Sequence, residues 1–264
     1  MKKGMERFPI LHITEESKNE AEAVVTKESS LTIILNNQEV VTLLCTPTNL
    51  EYLAIGFLFS EGLLESKDEI KKIVVDDERG IAVVETKEDK EFSKELLFKK
   101  RSIHSGGGTI RGASFSTADV KDRAKVESQI VISSHEVFEL VNKFQYHSQL
   151  FQITRGVHSA ALCDTKNILV FSDDLGRHNA IDKIFGECLL KDIATDDRIV
   201  ITTGRVPSEQ FFKVAKRKIP IMISLTVPTD LGVRLAADFG ITLIGSVRSE
   251  KMDIYTNDWR VVAK

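Results

Sequence analysis

The chain has 264 residues, 42% of them hydrophobic and 28% charged, enough for one large domain or two moderate ones with separate cores. A formal net charge of -3 and a pI near 6.1 give no overall basic field, which excludes nucleic acid and anionic lipid as partners drawn by charge. No apolar run approaches the roughly 18 residues of a membrane span, and none of signal-peptide length follows the charged segment Met1–Glu6. Cys45, Cys163 and Cys188 are too sparse for a disulfide framework or a zinc-binding CxxC pair, so a soluble cytoplasmic protein is expected.

Residues 1–120 read as a smaller, β-rich α+β domain. Ala23–Thr26 and Leu31–Leu35 are strand-like, Asn36-Asn37 is a hairpin turn, and Glu39–Leu44 returns as the second arm. Pro47 stops that strand, and Thr48 with Glu51 predicts a capping box opening a helix. Leu50, Leu53, Ala54, Phe57 and Leu58 follow at helical spacing, and Gly62 closes the run. Ser66 with Glu69 repeats the capping pattern, and Lys72–Val75 and Gly80–Thr86 read as a strand pair. The glycine-rich stretch His104–Gly108 cannot hold a helix or a central strand and marks the boundary between the halves.

Residues 121–264 alternate between strand and helix. A helix over Ser134–Phe151 precedes strands near Ala160–Cys163 and Ile168–Phe171. Helices over His178–Lys191, Ser208–Lys216 and Thr229–Phe239 then alternate with strands Arg198–Thr202, Pro220–Leu225 and Ile241–Val247. Strict alternation predicts right-handed crossovers and a largely parallel sheet. In such a sheet, ligands sit beyond the carboxyl ends of the strands.

Those ends collect polar residues. SDDLGRHN follows Phe171, TTGR follows Ile201, SLTVPTD follows Ile223, and GSVRSEK follows Ile244. Arg177, Arg205 and Arg248 thus come from three separate segments, next to small residues that let backbone N–H groups approach a ligand. Guanidinium forks and helix N-termini both suit phosphate. The competing reading makes each Gly-Arg pair a turn with a surface ion pair. Asp173 or Asp174 can cap the helix that follows. Asp182 can orient His178, four residues earlier on the same helix face. His158, His178 and the carboxylates read equally as hydrogen-bonded structural groups. The zinc-deaminase pattern, the GxSxG elbow and the Walker loop are all missing.

Together, Cys45–Leu64, Thr154–Leu162, Asp173–Gly186, Thr202–Glu209 and Val227–Thr256 resemble the FdhD family of formate dehydrogenase accessory proteins, in the family's order. The resemblance implies an α/β fold: a C-terminal three-layer cytidine-deaminase-like domain without zinc, joined to the smaller N-terminal domain, and a homodimer. It implies a sulfurtransferase and chaperone role. Sulfur from a cysteine desulfurase passes to bis-molybdopterin guanine dinucleotide, which then enters formate dehydrogenase, and GDP serves as a mimic of that cofactor. It places cofactor contacts on Ser246, Val247, Arg248, Ser249, Glu250 and Lys251. The rim residues Gly204, Arg205, Arg177, His178 and His158 are expected beside them.

One departure bears on the chemistry. The family's persulfide cysteine lies in the glycine-rich loop, often as a CxxC pair, and here His104 and Gly107 occupy those positions. Sulfur transfer needs a thiolate, which neither residue supplies. Cys45 is the least implausible substitute, although a buried small hydrophobe is the competing reading. Ser246 stands where the family pattern leads one to expect an aromatic residue. Three functions remain open: cofactor binding and delivery, a cofactor-free adaptor docking desulfurase and dehydrogenase, and, by fold analogy alone, a nucleotide deaminase.

Overall fold

A computed structural model describes residues 3–88, 101–103, 109–111, 125–248 and 250–263. The glycine-rich loop, with His104 and Gly107, lies outside the described residues, as does the expected domain boundary near residue 120.

The N-terminal half opens with a hairpin of β1 (Met5–Ile13) and β2 (Lys18–Thr26). Of it, the sequence reading had only Ala23–Thr26. A four-stranded sheet follows, built from β3 (Ser29–Leu35), β4 (Gln38–Cys45), β5 (Ile70–Asp76) and β6 (Ile81–Thr86), in the order β4-β3-β6-β5. Asn36 and Asn37 both take positive φ, 46° and 62°, the conformation a two-residue hairpin requires and asparagine tolerates. Helix α1 (Leu50–Ser60) lies on this sheet, but the Thr48–Glu51 capping box does not form. Its N-cap is Asn49, left-handed and without a side-chain cap. The helix is buried on nearly every side, and that burial replaces the missing cap as its source of stability. Strands β7 (Arg101–Ile103) and β8 (Thr109–Arg111) pair antiparallel on either side of the glycine-rich loop.

The C-terminal half is three-layered. Its six-stranded sheet runs β11-β10-β12-β13-β14-β15. These strands are β10 (His158–Cys163), β11 (Ile168–Asp174), β12 (Ile199–Thr202), β13 (Ile221–Ser224), β14 (Thr242–Arg248) and β15 (Lys251–Thr256). Alternate residues divide the layers. Ile199, Ile201, Ile221 and Ile223 face α2 (Ser134–His147). Val200, Met222 and Leu243 face α4 (Arg177–Leu190), α5 (Ser208–Ala215) and α6 (Asp230–Asp238). The short pair of β9 (Ile132–Ser133) and β16 (Val261–Val262) lies outside this sheet.

Two expectations need correction. The sheet is mixed rather than largely parallel: β12-β13 and β13-β14 are parallel, whereas β10-β11, β10-β12 and β14-β15 are antiparallel. A short turn joins β10 to β11 and reverses the chain, and β15 folds straight back on β14, so neither has a crossover helix to keep it parallel. The helix expected over Ser134–Phe151 is two helices, α2 and α3 (Gln149–Thr154). They separate at Ser148, whose hydroxyl accepts the Phe151 N–H at 2.9 Å and so starts a new helix.

The halves are welded where α1 crosses α4. A Cβ on Gly56 would lie 1.7 Å from the Asp182 carbonyl oxygen, and one on Gly186 would lie 2.0 Å from that of Tyr52. Only glycine lets the two backbones touch.

Candidate functional site

The segments that leave β11, β12, β13 and β14, with the one that enters β10, lie at one edge of the large sheet and form a continuous rim. Ser224 Oγ donates to the Gly204 carbonyl at 2.8 Å, Val206 bridges to Pro228, and the Ser246 N–H donates to the Thr226 carbonyl at 3.0 Å. The N-termini of α4, α5 and α6 open onto this rim, because each helix follows a strand that ends there. Thr229 caps α6 through the Gly232 N–H at 3.2 Å. The N-caps of α4 and α5, Gly176 and Pro207, make no side-chain cap, and the first turn of α4 carries no acidic residue, whereas that of α5 carries Glu209, so the start of α4 suits an anion best.

Arg177 and Arg205 lie on this rim within electrostatic reach of each other. Burial lowers the Arg177 pKa first, the positive charge of Arg205 lowers it further, and Glu209 partly offsets the two. Gly204 gives the Arg177 side chain room to lie there, since a Cβ at Gly204 would come within 2.9 Å of both Cβ and Cδ of Arg177. Two positive charges within reach of each other make the rim attractive to an anion.

His158 begins β10, opposite Asp174 of β11, and its Nδ1 lies 3.2 Å from Thr203 Oγ1. Burial lowers its pKa, the Arg177 charge lowers it further and Asp174 opposes them, so the imidazole is neutral near pH 7. Beside it is a cavity of about 670 Å³ whose walls include Phe144, Phe151, His158, Ser159 and Thr203. Behind that wall Asp173 accepts from Ser159 Oγ at 2.6 Å and Ser148 Oγ at 2.7 Å. Burial nevertheless raises the Asp173 pKa, with the two serine hydrogen bonds acting against the rise.

The densest polar motif divides between two jobs. Arg177 belongs to the rim, while Asn179, Asp182 and Lys183 are buried at the joint between the halves. Lys183 pairs with Asp174 at 2.7 Å, both side chains wholly buried. Asp174 also accepts the N–H of Thr46 at 3.1 Å, that of Gly176 at 2.9 Å and the amide of Asn179 at 2.9 Å. The expected helix-capping carboxylate therefore holds the N-cap residue's own N–H, not those of the first turn. Asp182, expected to orient His178, takes Ser60 Oγ at 2.6 Å and the Lys213 ammonium as partners.

The segment from Ser246 to Lys251 lies two strands along the rim from Arg205. Ser246 has φ of 54° and sits in the bulge that shifts the β14-β15 register between Gly245 and Arg248. Val247 is buried in the core, Arg248, Glu250 and Lys251 are exposed, and Ser249 lies outside the described residues. Arg248 thus shares the rim with Arg177 and Arg205 without lining the cavity beside His158. Thr203, Ser148 and Asp173 were not singled out as cofactor contacts in the sequence; only the serine three residues before Phe151, a helix-capping signal, hinted at a break there. All three cysteines are buried, and burial pushes each thiol up to about 12. Cys45 is therefore no thiolate near neutral pH.

A model of the FdhD/NarQ family matches residues 26–262. The chain is similar to the sulfur carrier protein FdhD of Bacillus pumilus, 42% identical over 237 residues that cover 90% of each protein. It is also similar to that of Bacillus subtilis, 41% identical over 239 residues, 89% of this chain and 88% of the relative. A crystal structure described as a formate dehydrogenase accessory protein from Desulfotalea psychrophila superposes with a TM-score of 0.78 at 25% identity. It covers 98% of this chain and 100% of the other. With the family model spanning most of its length, the chain belongs to the FdhD/NarQ family.

Proposed function

We propose that this chain is a cytoplasmic, homodimeric accessory protein of formate dehydrogenase that holds bis-molybdopterin guanine dinucleotide as cargo at the rim of its large sheet. The observation that carries the reading is that Arg177 and Arg205 share one rim, within electrostatic reach of each other, beside two helix N-termini without side-chain caps. Such a place suits the pyrophosphate of a dinucleotide. Further along the rim, exposed Arg248 serves the guanine end. The Gly204 cradle and the cavity beside His158 give the rim room for an extended ligand.

The relatives are named sulfur carriers, and a carrier needs a thiolate that attacks a donor persulfide. With three buried, protonated cysteines and no cysteine between His104 and Gly108, this chain binds the cofactor without forming a persulfide of its own. A cysteine desulfurase and formate dehydrogenase remain its expected partners. Calorimetric titration with GDP is the test. Binding is expected, and Arg205→Ala should weaken it by about 1 kcal/mol or more, the scale of a lost charged hydrogen bond. No measurable GDP binding sinks the reading. Gly107→Cys and His104→Cys, made separately, should restore persulfide loading by the desulfurase if that loop is the sulfur site.

The missing thiol also favours a second reading, an adaptor that docks desulfurase and dehydrogenase without cofactor. Nucleotide-stripped protein that pulls down formate dehydrogenase in undiminished yield, while failing to bind GDP, selects it.

A further inference from the structure

The hairpin of β1 and β2 stands out from the rest of the chain as an arm. Its base is anchored: Met5 and Val24 pack with Leu150, Phe151 and Val157, and Thr26 Oγ1 donates to Thr154 Oγ1 at 2.8 Å. From Glu6 to Glu22 every residue is exposed. A two-stranded hairpin is marginally stable in water by itself, so such an arm gains order from a surface laid against it.

The pairing register sorts its side chains. Glu6, Phe8, Ile10 and His12 share one face with Val25, Ala23, Ala21 and Asn19. Met5 and Val24 belong to the other face, so this one turns away from the protein. Phe8, Ile10 and Val25 are exposed on it and form an apolar strip with the two alanines. The edges are blunted against a further strand. The Lys27 N–H donates to the Gly4 carbonyl and the Thr14 N–H to the Ser17 carbonyl, so the even-numbered residues of β1 turn their backbone groups to β2 and the odd-numbered ones turn theirs outward. Pro9, at an outward position, has no N–H to give, and Lys18, Glu20 and Glu22 alternate along β2. What the arm offers a partner is its face.

The arm is also acidic. Between Met5 and Thr26 five glutamates stand against Arg7 and Lys18, a net -3 that equals the formal charge of the whole chain. It is rooted beside the candidate site, since Phe151 and Val157, which pack with its base, also line the cavity beside His158.

We propose that the outward face of this arm is a docking surface for the protein that receives the cargo, a partner whose contact has an apolar centre bordered by basic residues. A receiver of a ligand that carries phosphate groups needs a positive mouth to draw it in, and an acidic arm beside the cargo's site is the complement of that mouth. The apolar strip supplies the buried centre of the contact, and the glutamates at the turn and along β2 steer the approach. The identity of the partner rests on the cargo reading, and the docking face rests on the arm alone.

The test immobilises the full-length protein and follows binding of purified, cofactor-free formate dehydrogenase by surface plasmon resonance at low and high salt. Phe8→Ser with Ile10→Ser removes the strip. Glu15→Lys with Glu16→Lys, at the turn, reverses charge and leaves the strand pairing alone. Calorimetry with GDP and thermal melting accompany each variant. The strip variant should lose at least roughly tenfold in affinity, the scale of a lost anchor, mainly through faster dissociation. The turn variant should associate more slowly, most clearly at low salt. GDP affinity should stay unchanged in both, because neither reaches the rim. Dehydrogenase bound equally well by both variants overturns the docking face. A strip variant that loses the cysteine desulfurase instead, or that only separates a dimer into monomers in sedimentation, gives the face to another occupant and overturns the proposal too. An unaltered protein that binds GDP but no dehydrogenase overturns the docking and leaves the cargo reading standing. Arm-dependent binding of dehydrogenase without any GDP binding does the reverse.

Discussion

The joint between the two halves and the rim of the large sheet both rest on charged residues from one short stretch, Asp173–Lys183, and treat them in opposite ways. At the joint two buried ammonium groups are each matched by a carboxylate: Lys183 with Asp174 and Lys213 with Asp182, all within the protein interior. At the rim, the positive charges of Arg177 and Arg205 act on each other, with Glu209 opposing them and two helix N-termini without side-chain caps nearby. A buried pair is complete in itself and has nothing to offer a ligand. Like charges gathered at an open rim attract an anion, and a phosphate group suits them. Charge density alone therefore does not mark a site; the balance of the charges does.

That contrast can be broken most severely at the joint. Gly56→Ala places a methyl group 1.7 Å from the Asp182 carbonyl oxygen. Because backbone rather than a flexible side chain stands in the way, α1 must shift off α4. A loss of more than about 4 kcal/mol is expected in urea unfolding, and a loss below about 1 kcal/mol would show that the weld is looser than the geometry says. Next comes Lys183→Met, which leaves Asp174 buried and uncompensated. It should cost about 3–5 kcal/mol, and adding Asp174→Asn should recover much of that, since removing both charges spares the unpaired one. An additive double mutant would mean that the two do not act as a pair.

At the rim the effects move to binding. Gly204→Ala crowds Arg177 from 2.9 Å. GDP affinity should fall roughly tenfold, about 1.4 kcal/mol, with a smaller loss of stability than Gly56→Ala causes, because Arg177 Cδ can swing away and only its Cβ, fixed to the start of α4, must shift. An unfolded variant, or unchanged GDP binding, would deny Gly204 its role of making room. Arg248→Ala is exposed and should leave stability untouched while weakening GDP by about 1 kcal/mol. The smallest effect concerns pH. His158 titrates below its ordinary value because burial disfavours the charged form. The native state then binds that proton more weakly than the unfolded chain does, so stability is fully present above the unfolded pKa near 6.5 and falls as pH drops below it. His158→Gln should remove part of that acid sensitivity, read from melting curves between about pH 7 and pH 5.

Much of this was legible in the residues. Helix α4 lies within a residue of its expected limits, and the core strands β12, β13 and β14 fall where apolar runs between glycine and proline signals placed them. The rim too could be foreseen, because polar residues after strand ends are a local feature of the text. The break at Ser148 was less visible, since Leu150 and Phe151 continue the helical spacing of Leu140, Val141 and Phe144. It took Asp173, distant in sequence, to hold Ser148 out of the helix. The partners of Asp174, Asp182 and Lys183 were hidden for the same reason: Thr46 and Ser60 lie more than a hundred residues away.

Apolar periodicity, turn residues and the ordered motifs, each set by neighbours within a few positions, determined the elements, the α/β class and the family. The direction of the outer strands, the division of one motif between an interior joint and an open rim, and the cavity beside His158 were decided only by tertiary packing. Those depend on which distant carboxylate, hydroxyl or backbone carbonyl meets each group once the chain has closed, and a low-dielectric interior admits only charges that have found such a partner.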